Sequence, residues 1–196
     1  MRAVWIFAML VMALGEGLAE YAAGVPAGPS TALRVKSRRY DEAAAGLAGG
    51  RRYIFAGGLA QTRPAQRKPS APEQALFDAA NRERAARRLA PLKWNPALAS
   101  AARAHAQKMA RENTLSHQFP GEMDLGTRVR LAGVRFRAVA ENVAQGPSAA
   151  SIHTQWINSP PHRANLLDPE LDSIGIAVAE GQGQLFAVQD FSQANP

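Results

Sequence analysis

From residue 73 onward the chain carries apolar residues at recognisable spacings, first near 3.6 and later near two, whereas before that point neither period is sustained. Ser70-Ala71-Pro72-Glu73 offers a capping residue and a proline near a first helical position, and predicts a helix from about Glu73 to Arg88. Leu76, Ala79, Ala80 and the stretch Glu83 to Ala86 give that helix a modest apolar stripe. Pro91, Asn95 and Pro96 then favour an extended turn and a fresh start. A second helix is expected from Pro96 to Asn113, with Leu98, Ala101, Ala102, His105 and Met109 at helical spacing.

Residues 114 to 126 are rich in Pro, Gly and polar side chains and read as a loop, followed by a short helix over Thr127 to Ala132 closed by Gly133. Val139 to Ala144 reads as a short strand, and Pro147-Ser148 opens a helix running to about Ser159 that includes Ile152 and Trp156. Ile174, Ile176 and Val178 alternate within Ser173 to Glu180, and Gly181-Gln182-Gly183 turns the chain into a partner strand over Gln184 to Phe191. Helices early and strands late predict an α+β fold, in a layered arrangement.

The amino terminus changes the picture. Met1-Arg2 precedes an apolar run from Ala3 to Leu14, too short for a membrane span, so residues 1–19 are expected to be a signal peptide cleaved after Ala19. An uncleaved anchor is the alternative. Residues 20–72 are a basic Ala/Gly/Pro-rich segment with few large apolar residues, expected to be a disordered linker, and residues 73–196 form the domain. The chain has no Cys, which excludes disulfides, thiolate metal sites, a Cys nucleophile and a lipoprotein anchor.

The net charge of +7 sits mostly in the linker: residues 20–72 carry nine Lys or Arg against three Asp or Glu, and residues 73–196 thirteen against twelve. A folded reader of nucleic acid would concentrate that charge on the domain, so no nucleic-acid partner is expected. Membrane contact is expected only through the signal peptide or the basic linker, and the protein is expected to be a monomer.

An ordered set of motifs carries a resemblance. It comprises Asn81-Arg82-Glu83-Arg84, Leu92-Lys93-Trp94-Asn95-Pro96-Ala97-Leu98, Ala101 to Ala110 and Ser116-His117 in the first half. Gly126-Thr127-Arg128, Glu141-Asn142-Val143-Ala144-Gln145-Gly146, Trp156 to Leu167, Ile174-Gly175-Ile176-Ala177 and Phe186 to Phe191 follow in the second. Over about 120 residues, in order, this resembles a bacterial-type CAP domain, the superfamily of cysteine-rich secretory, antigen 5 and pathogenesis-related (SCP-like) proteins. The resemblance implies a three-layer α-β-α sandwich around a small antiparallel sheet of three strands, with a cleft on one side. It also implies a secreted or periplasmic protein that binds a small hydrophobic ligand such as a lipid, or a cell-envelope component.

The positions matching the family's cleft are His117, Glu141 and His162. Two imidazoles and a carboxylate are a recognised ligand set for zinc or another divalent cation, and the same groups are candidates for acid–base work in a metal-dependent hydrolase or peptidase. Asn142 and Arg163 join them as candidate ligand-binding residues, Arg163 as an orienter of a carboxylate and Asn142 as a satisfier of backbone groups. Glu141, inside an apolar strand, needs a partner, and Arg163 or a backbone amide is the candidate. The sequence departs from the family where no second acid follows Trp156, where Ala140 precedes Glu141, and where Pro161 precedes His162. His105 is expected to be a hydrogen-bonded core histidine, His153 has no motif position, and Trp94 and Trp156 are packing anchors. Ser116 and Ser159 adjoin histidine segments, but no Gly-x-Ser-x-Gly elbow is present.

Overall fold

The computed structural model describes residues 30–36 and 67–194. In chain order the elements are β1 (Ser30–Lys36), α1 (Ala71–Ala85), β2 (Lys93–Trp94), α2 (Pro96–Glu112), α3 (Leu125–Leu131) and β3 (Phe136–Gly146). They are followed by α4 (Ala149–Asn158), α5 (Pro160–Leu166), β4 (Ser173–Gly181) and β5 (Gln184–Ala194). The sheet order is β1-β3-β5-β4-β2, antiparallel throughout except for the short β2, which runs parallel to β4.

Local chemistry sets the element ends. Ser70 and Glu73 form a capping box at the start of α1, Asn95 accepts from the amides of Ala97 and Leu98 to start α2, and Ser148 accepts from Ser151 to start α4. Asn113 closes α2 in the left-handed region at φ 47°, which asparagine tolerates because its short side chain is polar.

Alternation along the strands sends side chains to two layers. Ala140, Ala144, Ile174, Ile176, Ala187 and Phe191 pack with Leu76 and Ala80 of α1, Ile152 and Trp156 of α4, and Leu166 of α5. Val139, Val143, Ala177, Phe186 and Val188 face α2 and α3, with Leu98, Ala102, Met109, Leu125 and Val129. The result is a helix–sheet–helix sandwich. At Gly175 helix α2 lies so close that an added Cβ would stand 2.0 Å from the Ala99 nitrogen, which gives the Ile174-Gly175-Ile176 motif a packing reason.

Three expectations are corrected. The sheet has two edge strands beyond the central antiparallel three, β2 and β1. Strand β1 falls inside the stretch expected to be disordered, because the alternation of Leu33 and Val35 against Ala32 and Arg34 is averaged away in a Gly- and Ala-rich composition. Beyond the helix expected to end at about Ser159 the chain forms a further helix, α5, whose two prolines in the first turn suit a helix start. The signal peptide and residues 20–29 and 37–66 of the linker lie outside the described residues.

Candidate functional site

The pairing register decides which side chains meet. Glu141 on β3 pairs with Asp190 on β5, which pairs with Gly175 on β4, so two carboxylates stand side by side on the face that looks to α2 and α3. Both are fully buried. Asn142, the next residue, points to the opposite layer, where it donates to the His162 carbonyl and to Gln189 Oε1, both at 3.2 Å.

Glu141 is held at both oxygens. His117 Nδ1 lies 2.7 Å from Oε1, and Arg128 of α3 donates Nη2 to Oε2. Burial by itself would raise the pKa of this carboxyl, but the Arg128 guanidinium first, then His105 and the hydrogen bond from His117, bring it down to about 2. Glu141 is therefore an anion at any physiological pH. Arg128 is in turn kept charged despite burial, by Glu141 above all.

A second shell of polar groups surrounds that pair. His105 of α2 gives its Nε2 hydrogen to the Ser116 carbonyl at 2.7 Å, since a carbonyl can only accept. Its Nδ1 lies 2.8 Å from both Glu122 Oε1 and Arg128 Nη1, so a neutral ring accepts from Arg128 and a charged ring donates to Glu122. Glu122 also accepts from the Phe119 amide; burial pushes its pKa up, but the His105 and Phe119 hydrogen bonds outweigh it and hold the group low.

Asp190 is different. Neither of its oxygens meets a donor, and burial first, then the neighbouring Glu141 charge, push its pKa well above the ordinary value. Both effects favour its neutral form, whose hydroxyl would face the Glu141 carboxylate across the strand pair. Of the two acids Glu141 holds the negative charge more readily, because Arg128 and His117 contact that residue. His117 is the least covered member of the network: its side chain is 18% exposed where those of His105 and Glu141 are fully covered, although its Nε2 is itself buried and has no hydrogen-bond partner.

A family model, described as the cysteine-rich secretory protein family, CAP, matches residues 77–191. The chain belongs to the CAP family. The Bacillus subtilis protein YkwD is 31% identical over 120 residues, 61% of this chain and 47% of that protein. An extracellular protein of Bacillus anthracis containing an SCP domain is 30% identical with a TM-score of 0.58, over 62% of this chain and 40% of that one. An outer surface protein of Borrelia burgdorferi shares the fold at 19% identity with a TM-score of 0.59, over 66% of this chain and 97% of that one. The chain spans less than half the length of the curated relative YkwD.

Within the CAP domain the structure joins His117 to Glu141 and places His162 on α5, buried, with its backbone carbonyl on the Asn142 side of the sheet. Asn142 is consumed by the packing of that layer, accepting from Asn165 Nδ2 at 3.0 Å. The partner of Glu141 is Arg128 and not Arg163, which is exposed and donates to the Ile157 carbonyl. Ser116 Oγ donates to the Gln118 carbonyl, not to His117. Trp156 is a fully buried anchor and Trp94 packs edge-on against Phe77, with ring centroids 5.5 Å apart.

Among the described residues no three His, Cys, Asp or Glu side chains converge as a metal site. A divalent ion on Glu141 would also have to displace the Arg128 guanidinium, so the donor set as it stands does not fit a metal. A recess at the β4–β5 hairpin, lined by Pro147, Glu180, Gln184 and Leu185, holds none of the candidate residues. Pro147 lies six residues beyond Glu141, about 20 Å at 3.3 Å per residue.

Sequence reasoning missed Arg128, Glu122 and Asp190 as members of the network, and gave His105 only a core role. Two of them left a signal. Arg128 stands within a recognised motif, and Asp190 interrupts the apolar series Phe186, Val188, Phe191 just as Glu141 interrupts its own strand. Glu122 sits in an irregular loop with no periodicity to betray it.

Proposed function

We propose that this CAP-domain protein is secreted and binds a ligand, a lipid or an envelope component, at His117, and that it is not a hydrolase. The observation that carries this reading is that both Glu141 oxygens are already bonded, to His117 and to Arg128, in a buried carboxyl with a pKa of about 2. A base so weak and so enclosed takes no proton from a substrate near neutral pH. In the neutral tautomer set by its Nδ1 hydrogen bond, the buried His117 Nε2 carries a lone pair that meets no donor, which suits a small hydroxyl or amine donor entering beside the partly exposed ring. Secretion is supported by the apolar run at residues 3–14 and by the extracellular B. anthracis relative. No described helix is long and apolar enough to cross a membrane.

A second reading has one observation in its favour. A carboxylate holding Nδ1 of a histidine whose Nε2 is unpartnered is the orienting half of a general-base pair. Purified full-length protein assayed on peptide, glycan and ester substrates separates the two. No turnover, with binding of hydroxylated lipid lost in His117→Ala, is the expected result; turnover that disappears in His117→Ala and Glu141→Gln overturns it. Zinc calorimetry on the same proteins is expected to show no binding that depends jointly on His117 and His162.

A further inference from the structure

The long edge of β3 has an occupant. Ser30–Lys36 pairs with it antiparallel over seven residues, from Ser30 opposite Ala144 to Lys36 opposite Ala138, with Leu33 opposite Glu141. Leu33 and Val35 pack on the α3 side with Leu125, Val129 and Val139, while Arg34 points to the α5 side. There it pairs with Asp168 and, at 2.9 Å, with Glu170, both in the loop after α5. The Asn165 side chain reaches the Leu33 carbonyl at 3.4 Å.

The features that hold this strand are those of a peptide groove. Backbone pairing supplies affinity, an apolar wall takes alternate side chains, and an acidic pair takes the basic residue between them. Thirty residues separate Lys36 from Arg67, where the description of the domain resumes. The strand is therefore joined to its groove only through a long connection, whose effective concentration falls with length, and it competes with strands supplied from outside. Its ladder covers an edge that would otherwise be open to pairing.

We infer that the β3 edge, between α3 and the Asp168/Glu170 pair, is a binding groove for extended peptides of apolar–Arg–apolar pattern, and that Ser30–Lys36 is its resident, exchangeable occupant. This is a site separate from His117 and independent of the ligand proposed there. An incoming strand places its central apolar residue opposite Glu141, as Leu33 does. The arginine between apolar neighbours sets the specificity, because a neutral or acidic residue there leaves Asp168, which is nearly buried, without its partner.

The test uses a fluorescent peptide of residues 30–36 and the full chain, read by anisotropy. In the Leu33→Asp/Arg34→Glu chain, where the resident strand is weakened, the peptide is expected to bind at least ten-fold tighter than in the wild type. A peptide with Arg replaced by Glu is expected to bind that chain at least ten-fold more weakly than the parent peptide. Absence of binding to the double variant with a native circular dichroism spectrum, equal affinity for both chains, or indifference to the arginine each overturns the inference. Should the double variant not fold, wild-type protein in excess unlabelled peptide gives the answer. Faster amide exchange across Ser30–Lys36 with β3 protection kept supports displacement, and unchanged exchange of Ser30–Lys36 refutes it.

Discussion

Two arginines are buried in this domain, on opposite sides of the sheet, and they are satisfied in different ways. Arg84 of α1 is 1% exposed and gives its hydrogens to four carbonyls: Ala90 at 2.8 Å, Leu166 at 3.0 Å, Asp168 at 2.9 Å and Leu171 at 3.2 Å. It meets no carboxylate, and burial lowers its pKa. Arg128 of α3 sits instead among Glu141, Glu122 and His105, with Asp190 nearby. The first cluster ties α1 to the α5–β4 loop and leaves none of the Arg84 nitrogens idle; the second leaves Arg128 Nε and His117 Nε2 without partners and the Asp190 oxygens without a donor. A buried charge whose neighbours are all accounted for serves the fold. A cluster with unmatched polar atoms, ending on a partly exposed histidine, is where a ligand has something to bind.

If that contrast is right, the largest effect follows from splitting the ion pair. Glu141→Ala leaves Arg128 charged and buried with one strong acceptor gone, and Arg128→Met does the same to Glu141. Either is expected to cost about 3–5 kcal/mol in urea unfolding. Glu141→Leu combined with Arg128→Met is expected to recover more than half of that, because an apolar pair needs no partner. A double variant as unstable as the sum of its parts would mean that the network does not act as a unit.

Arg84→Met is the matching experiment on the other side. Four carbonyls lose their shared donor, for an expected loss of about 3 kcal/mol, and Arg84→Lys restores less than half because an ammonium cannot spread its hydrogens over the same fork. Any ligand bound at His117 should be held as before. A fall in its affinity beyond what unfolding explains would erase the distinction between the two clusters.

How far the sequence reveals these clusters depends on the range of the interactions. Helix caps, the β4–β5 hairpin and the two apolar faces are written in neighbouring residues, and Ser70, Asn95 and Gly181-Gln182-Gly183 perform as their chemistry dictates. His117 and Glu141 were found through motif resemblance, 24 residues apart in sequence yet hydrogen-bonded. Arg128 and Asp190 were not. Assigning them a role requires the register, since Asp190 meets Glu141 only because β3 and β5 pair without a slip at that point. Arg163, which the sequence offers together with a backbone amide as the partner of Glu141, stands beside His162 in sequence but is exposed and donates to the Ile157 carbonyl.

The opposite shifts of Glu141 and Asp190 give the contrast a pH signature, at about 1.4 kcal/mol per unit of pH for each group within its window. Glu141 has a folded pKa of about 2 against an ordinary 4.5, so the stability it contributes is present above 4.5 and lost as pH falls toward 2. Asp190 is raised above 3.8, so its contribution is complete below that value and is lost as pH rises toward the folded pKa. Asp190→Asn is expected to be more stable than the wild type at neutral pH and to lose the alkaline part of this dependence, while the acid limb from Glu141 persists. Equal pH profiles for the two proteins would show that Asp190 is not the proton holder. The lowered pKa of Arg84 acts only on the far alkaline side, so Arg84→Met should shift the acid-to-neutral part of the curve without changing its shape.

The smallest expected change in stability is at His117. Removing its side chain takes one hydrogen bond from Glu141, but Arg128 remains on the other oxygen, and the imidazole is partly in water, where exchange with solvent recovers much of the loss. His117→Ala is expected to cost about 1 kcal/mol, read as a small drop in the midpoint of urea unfolding, and to abolish binding of a hydroxylated ligand. His117→Gln, which keeps a donor for Glu141 but not the imidazole lone pair, should return most of the stability and little of the binding. A loss as large as that of Glu141→Ala would place His117 with Arg84 among the groups that hold the fold, and would leave the network without a solvent-facing end.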